Sequence, residues 1–266
     1  LGARYAPMYE HQLAKEWEYI LEDSDAKLVI VSSADIYAQI KPWCGKLGQL
    51  ESIVAMDLPA NDDASLTALR SRGADAPCEP AAIDPSDICG FIYTSGTTGN
   101  PKGVLLSHSN IVSNINAVHS FMPMQTEDMS LAFLPWAHSF GQTCELHCLL
   151  SMGAATAFAE SIPKLVENLA EVKPTILFAV PRIFNKIYDG IQKKVNAGGG
   201  VKKKLFDAAI ANAEKRRTLA EQGRSSLRAN AAGRLFDEVV FSKVRERFGG
   251  RLKFAFSGGA ALSPEV

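Results

Sequence analysis

Cysteine is scarce and poorly spaced for cross-linking. The five, Cys44, Cys78, Cys89, Cys144 and Cys148, are odd in number and contain no Cys-x-x-Cys pair. That argues against a disulfide framework or a zinc site and points to a reducing compartment, cytoplasmic or on the cytosolic face of a membrane. Cys144, His147 and Cys148 can share a helix face, where burial is the expected role because no fourth ligand accompanies them. Long apolar runs are missing too. None reaches the ~18 residues of a membrane span, and Glu145 interrupts the best candidate, so any membrane contact is expected to be peripheral. Net charge is almost absent, at −1, but its distribution is uneven. Residues 1–185 hold 11 Lys+Arg against 21 Asp+Glu, and residues 186–253 hold 17 against 7. The basic segment suits either anionic headgroups and phosphates or plain solvated helix faces.

What is present describes a globular chain. With 266 residues, 47% hydrophobic and 21% charged, it can form one large or two modest domains. Apolar spacing predicts a helix carrying Leu13, Trp17, Ile20 and Leu21, a strand at Lys27–Val31, a helix near Asp35–Trp43 and a strand at Ser52–Met56. A polar stretch through Pro85 reads as a surface connection. After a strand at Ile88–Tyr93, Ser109 is positioned to cap a helix with Ile111, Val112, Ile115, Val118 and Met122 on one face. Strands at Met129–Leu134, Ala154–Phe158 and Thr175–Val180 then alternate with helices ending near Met152 and spanning Lys164–Val172. This order predicts an α/β fold, doubly wound, with mainly parallel sheets and flanking helices. From Arg182 the chain turns helical, with a glycine turn at Gly198–Gly200 and amphipathic helices around Val201–Ala220 and Leu235–Phe248. An alternating strand, Leu252, Phe254, Phe256, opens into Ser257-Gly258-Gly259-Ala260.

Chemistry concentrates in Tyr93-Thr94-Ser95-Gly96-Thr97-Thr98-Gly99-Asn100-Pro101-Lys102-Gly103. A buried strand delivers the chain to residues that cannot pack a core. Glycines let backbone N–H groups approach an anion, hydroxyls add donors, and Lys102 brings positive charge to where pyrophosphate oxygens would lie. The loop is not Walker A, because Pro101-Lys102-Gly103 stands where Gly-Lys-Ser/Thr would be required.

In order and composition this loop resembles the signature of the adenylate-forming superfamily, which includes acyl-CoA synthetases, luciferases and peptide-synthetase adenylation domains. Further stretches narrow the resemblance to long-chain fatty acyl-CoA synthetases: Leu1 to Tyr9, Leu134-Pro135-Trp136-Ala137-His138, Val180-Pro181-Arg182-Ile183-Phe184, and Phe241 through Pro264. The resemblance implies ATP-dependent conversion of a fatty carboxylate to an acyl-adenylate, then thioester formation with coenzyme A. ATP, Mg2+, fatty acid and coenzyme A are the implied ligands, and no nucleic-acid partner is. It implies that Thr94, Ser95, Gly96, Thr97, Thr98, Gly99 and Lys102 hold the β- and γ-phosphates, with Lys102 also catalytic. His138 is implied beside the acyl carboxylate and α-phosphate, and Gly258, Gly259 and Ala260 as one wall of the adenine pocket. His108 is expected to support the phosphate loop, and His119 to lie on a helix face. Trp136 and Phe140 are candidates to line the acyl pocket but stay outside the catalytic set, since an aromatic beside a strand end more often serves a core.

By this resemblance residues 1–266 are part of the family's large domain, read as first βα units with a linker (1–87), the phosphate-loop region (88–180), and a helical insertion leading to the adenine pocket (181–266). Tyr9-Glu10-His11-Gln12 departs from the Pro-Thr-type residues common there. Leu at residue 1, and Ser263-Pro264-Glu265 reading as the first turn of a helix, lead to the expectation of an internal fragment, inactive alone. The family's Tyr-Gly-x-Thr-Glu magnesium motif, ribose-binding Asp and small C-terminal domain do not occur in the 266 residues.

Overall fold

Helix α1 (Ala14–Asp23) opens the first of two units, defined by Leu1–Asn116 with Pro135–Ser139. The computed structural model describes residues 2–95 and 99–263. The Leu13 N–H donates to Glu16 Oε2 at 3.1 Å, fixing the first turn of α1. Trp17, Ile20 and Leu21 are buried at helical spacing. They meet β1 (Leu28–Val31), α2 (Ala34–Ile40) with a following 3-10 turn at Lys41–Trp43, and β2 (Ser52–Ala55). Strands β1 and β2 are parallel, Leu28 opposite Ser52 and Val31 opposite Ala55. Each core side chain buried here contributes about 1.5–3 kcal/mol against exposure.

The stretch read as a surface connection contains a helix, α3 (Leu66–Asp75). It buries none of its residues, so it carries no apolar stripe. Strand β3 (Ile88–Thr94) then pairs with β4 (Lys102–Ser107), and this pair is antiparallel. The hairpin departs from the parallel pattern. Helix α4 (His108–Phe121) begins one residue before Ser109, so Ser107 takes the capping place. Its Oγ accepts from the Asn110 N–H at 3.2 Å, while its own N–H donates to Asn110 Oδ1 at 3.0 Å. No residue of α4 is buried, so its expected apolar face stays at least partly open; Met122, just beyond it, is buried.

The second unit comprises Ala117–Leu134 and Phe140–Val266. Its centre is a four-stranded parallel sheet ordered β6-β5-β7-β8, from β5 (Met129–Ala132), β6 (Ala155–Phe158), β7 (Ile176–Ala179) and β8 (Phe254–Ser257). All four residues of β7 are buried, as a central parallel strand requires. Between β5 and β6 run α5 (Ser139–Gly141), a π-helical segment Gln142–Cys148, and α6 (Leu149–Met152). Helices α7 (Leu165–Val172) and α8 (Pro181–Ala197) place Leu165, Leu169, Ile183 and Ile187 on Leu131, Leu177 and Ala179.

Beyond the glycine turn come α9 (Gly200–Glu221), α10 (Leu227–Phe236), a π segment Asp237–Phe241 and α11 (Ser242–Arg247). The helix expected from Leu235 thus starts eight residues earlier, at Leu227. Ser226 Oγ caps it by accepting from the Ala229 N–H. Asp128 is fully buried at the N-terminal ends of β5, β7 and β8, where Lys253 Nζ at 2.8 Å and Thr175 Oγ1 at 2.7 Å both donate to its carboxylate. Pro264 and Glu265, of the expected helix start, lie outside the described residues.

Candidate functional site

The phosphate-loop candidate is held by an unusually well-buttressed hairpin. Cys89, Gly90 and Ile92 are the buried residues of β3. Along one edge, the Tyr5 N–H donates to Cys89 O at 3.0 Å and the Phe91 N–H to Tyr5 O at 2.8 Å. The Tyr5 ring lies across Gly90, where a β-carbon would come within 2.8 Å of it. Burial, with the nearby Cys89, pushes the Tyr5 hydroxyl up to about 12. Near the mouth, Tyr93 covers Gly103 in the same way, and its hydroxyl donates to Asp23 Oδ2 at 2.8 Å. Burial, then that bond to Asp23, keep the Tyr93 phenol protonated well above its ordinary range.

The last ladder pair is Thr94 opposite Lys102. Both are exposed, and exposed Ser95 continues from Thr94. Gly99 has φ +125°, a conformation that side chains disfavour, and nothing lies within 4 Å of where its β-carbon would be. A hydroxyl and an ammonium therefore flank the start and end of a polar loop. Gly96, Thr97 and Thr98 lie outside the described residues. Behind the hairpin, the His108 N–H donates to Asp87 O and the Ser109 N–H to Pro85 O. These bonds tie the exit of β4 to the entry of β3.

His138 belongs to the same unit, in Pro135–Ser139. Its N–H donates to Pro135 O at 3.0 Å, closing a turn that leaves its side chain exposed while Ala137 is buried.

In the second unit, Ser257-Gly258-Gly259-Ala260 leaves the C-terminal end of β8, next to that of β7. Ligands of open α/β sheets bind at such ends. The Gly258 N–H donates to Ala179 O at 3.0 Å. The Phe140 ring occupies the space that a side chain on Gly258 would need. Gly259 has φ +80°, with Val180 Cγ1 3.8 Å from where its β-carbon would stand. The result is a flat peptide surface backed by an aromatic ring. Phe140 is a pocket-lining candidate by sequence, but its place against Gly258 is not legible there.

His119 pairs with Ser151, Nε2 to Oγ at 3.1 Å, which gives it a structural partner. In the π segment Cys144 and Cys148 are buried, and burial pushes their thiols up to about 12 and about 11. They are packing residues in the thiol form. His147 is shifted down by burial. Glu145, also fully buried, accepts from the Leu134 N–H at 3.3 Å, just before the His138 segment begins.

The AMP-binding enzyme model matches residues 1–266. The chain belongs to the AMP-binding enzyme family. Among relatives of this AMP-binding chain, long chain acyl-CoA synthetase 4 of Arabidopsis thaliana is 33% identical over all of it and 41% of its own length. Fatty acyl-CoA synthetase A of Dictyostelium discoideum is 35% identical over 76% of the chain and 29% of its own length. The chain therefore spans less than half the length of these relatives. The adenylation domain of a carboxylate reductase from Mycobacterium chelonae has the same fold, with TM-score 0.72 at 21% identity, covering 97% of this chain and 40% of that one. The N-terminal domain of FACL13 from Mycobacterium tuberculosis superposes with TM-score 0.56 at 29% identity, over 67% of this chain and 44% of that one. The α/β reading with mainly parallel sheets stands; among the described residues the β3–β4 hairpin is the antiparallel exception.

Proposed function

We propose that the complete protein carrying this chain is a long-chain fatty acid–CoA ligase. The fatty carboxylate attacks the α-phosphate of ATP, forming acyl-adenylate and releasing pyrophosphate. The CoA thiol then attacks the acyl carbon and displaces AMP. The observation that carries this reading is the polar loop opened by Thr94 and closed by Lys102, in a chain whose relatives at 33–38% identity are named as long chain acyl-CoA synthetases.

Phosphoryl chemistry of this kind depends on positioning and charge stabilisation. Thr94, Ser95, Gly96, Thr97, Thr98 and Gly99 are assigned to the phosphates, and Lys102 to the charge developing on departing pyrophosphate. His138 is assigned to donate to the carboxylate and α-phosphate. The peptide surface at Gly258, Gly259 and Ala260 is assigned to the adenine ring. Magnesium is a different matter. The loop from Thr94 to Lys102 offers hydroxyls but no carboxylate, and no metal-holding cluster of His, Cys, Asp and Glu occurs among the described residues. No step is therefore assigned to a metal held by this chain. The proposed location is the cytosol or a cytosolic membrane face, with which five free cysteines agree.

ATP–pyrophosphate exchange by the full-length protein, offered hexadecanoate, octanoate, benzoate and mixed amino acids, tests the reading. Strong exchange with hexadecanoate is expected. Exchange only with an aryl or amino acid would keep adenylation and overturn the substrate, and no exchange with any acid would leave a nucleotide-binding module without ligase activity.

A further inference from the structure

Within the second unit, α8, α9, the π segment Asp237–Phe241 and α11 enclose a groove of about 510 Å³. Its floor is apolar: Ile191, Val195, Leu205, Phe206, Val240 and Val244. Phe206 and Val240 are buried members of a small core, so the floor is a fixed part of the fold. The volume lies within the ~300–1,000 Å³ common for small-ligand sites. None of its residues belongs to the phosphate loop, the His138 turn or the Ser257–Ala260 loop.

The rim has one sign of charge. Lys194, Lys202, Lys243 and Arg247 line the groove, and no Asp or Glu does. None of the four forms an ion pair among the described residues, although cations on the same helices do. Lys203 is paired with Asp207 at 2.6 Å, and Arg245 with Asp237 at 2.7 Å in a two-pronged contact. Lys193 and Lys204, on the same helices but outside the groove, are likewise without an ion pair among the described residues, so what marks the rim is its single sign of charge. The Lys202 stem lies over Gly198, whose absent side chain lets it do so. The methylenes of Lys194, Lys202 and Lys243 can extend the apolar surface while their ammonium groups stay in water.

We propose that this groove binds a single-chain anionic amphiphile, its acyl tail along Ile191, Val195, Phe206 and Val240 and its head among the four cations. Two features select this occupant. Charge complementarity requires an anion, because the rim offers cations alone. The shape selects one extended chain, because Phe206 and Val240 are buried at the base of a groove of about 510 Å³. The inference does not depend on the ligase reading, since it uses none of that reading's residues.

The test is photolabelling of the complete protein with a diazirine analogue of hexadecanoate, followed by peptide mapping. Label is expected in 191–206 and 239–247. Hexadecanoate, hexadecyl phosphate or hexadecanoyl-CoA should each displace it, and uncharged hexadecanol should not; the strongest competitor identifies the head group. The exposed pair Lys194→Glu with Lys243→Glu should reduce label in these peptides about tenfold, two partly exposed charge contacts being reversed. Lys194→Gln with Lys243→Gln, a milder change, should reduce it less, and Lys102→Ala should leave it unchanged. Absence of label from both segments overturns the proposal. So does equal competition by hexadecanol, which would mark a plain apolar patch, or displacement only by anionic phospholipid vesicles, which would mark a membrane-facing surface.

Discussion

The Tyr93 ring lies where a side chain on Gly103 would have to go, with Cζ 3.0 Å from the β-carbon position, and Tyr93 and Gly103 are partners across the β3–β4 ladder. This contact locks the hairpin directly behind the closing pair Thr94 and Lys102. Gly103→Ala should displace the ring, break the 2.8 Å bond to Asp23, and cost about 1–3 kcal/mol of stability by crowding. Tyr93→Phe removes only the hydroxyl and should cost about 1 kcal/mol. Urea unfolding of both variants checks the order; a neutral Gly103→Ala would show that the ring does not brace the hairpin.

Lys102→Ala should leave the fold intact, since its side chain is exposed at the first position of β4. Exchange of ATP with pyrophosphate should fall about a hundredfold or more, the scale of one lost electrostatic contact to a developing charge. Unchanged exchange would remove Lys102 from the site.

His138→Ala should depress acyl-adenylate formation about a hundredfold, the range of one positioned proton donor. Single-turnover measurement of acyl-AMP checks it. A normal burst would assign the histidine no part in the first half-reaction.

At Gly258 the obstacle is Phe140. Gly258→Ala should cost about 1–3 kcal/mol by overpacking, and Phe140→Leu in the same protein should recover part of that loss. Additive effects in the double-mutant cycle would show that the two do not share the space.

The Asp128–Lys253 pair makes a pH prediction with a definite sign. Burial by itself would raise the Asp128 carboxyl, but hydrogen bonds from Lys253, Thr175 and the Gln125 N–H hold it below its ordinary 3.8. A carboxyl depressed in the folded state contributes stability above 3.8 that is lost as pH falls through its lower folded value. Lys253→Met should therefore cost about 1–3 kcal/mol at pH 7, less than a fully buried pair because Lys253 is half exposed. The difference from the parent should shrink steadily below pH 4. A pH-independent difference would reduce Lys253 to a packing residue.

Legibility in the sequence followed how much each element buries. Trp17, Ile20 and Leu21 announced α1, and the unbroken apolar run of β7 announced a central strand. Helix α3 buries nothing, and α10 buries only the small residues Ala229 and Gly233 while Leu227 is 91% exposed, so neither shows a large apolar stripe; the capping serines, Ser65 and Ser226, are the clearer signals. Strand β4 was hidden because Val104 and Leu105 are consecutive and both exposed, which breaks alternation. The π segments have no sequence signature, since their hydrogen-bond offset leaves composition unchanged. At the candidate site, the polar loop from Thr94 to Lys102 stood out in the sequence because its residue types cannot pack a core. The roles of Tyr93 and Phe140 did not, because each depends on a glycine brought opposite by tertiary pairing.

The order of strands in the parallel sheet also sets a timetable for synthesis. Strand β7, with Ile176, Leu177, Phe178 and Ala179 wholly buried, receives one of its two neighbours from β8. That neighbour emerges roughly 80 residues later, which at ~5–20 residues per second leaves the edge of β7 uncovered for about 4–16 seconds. Through that interval a nascent chain exposes an apolar strand with free backbone groups, the form most prone to pair with another chain. The long loop closure makes β8 the last of the four described strands to join the sheet. Ribosome-bound chains halted before Lys253 should thus be the ones that need a chaperone.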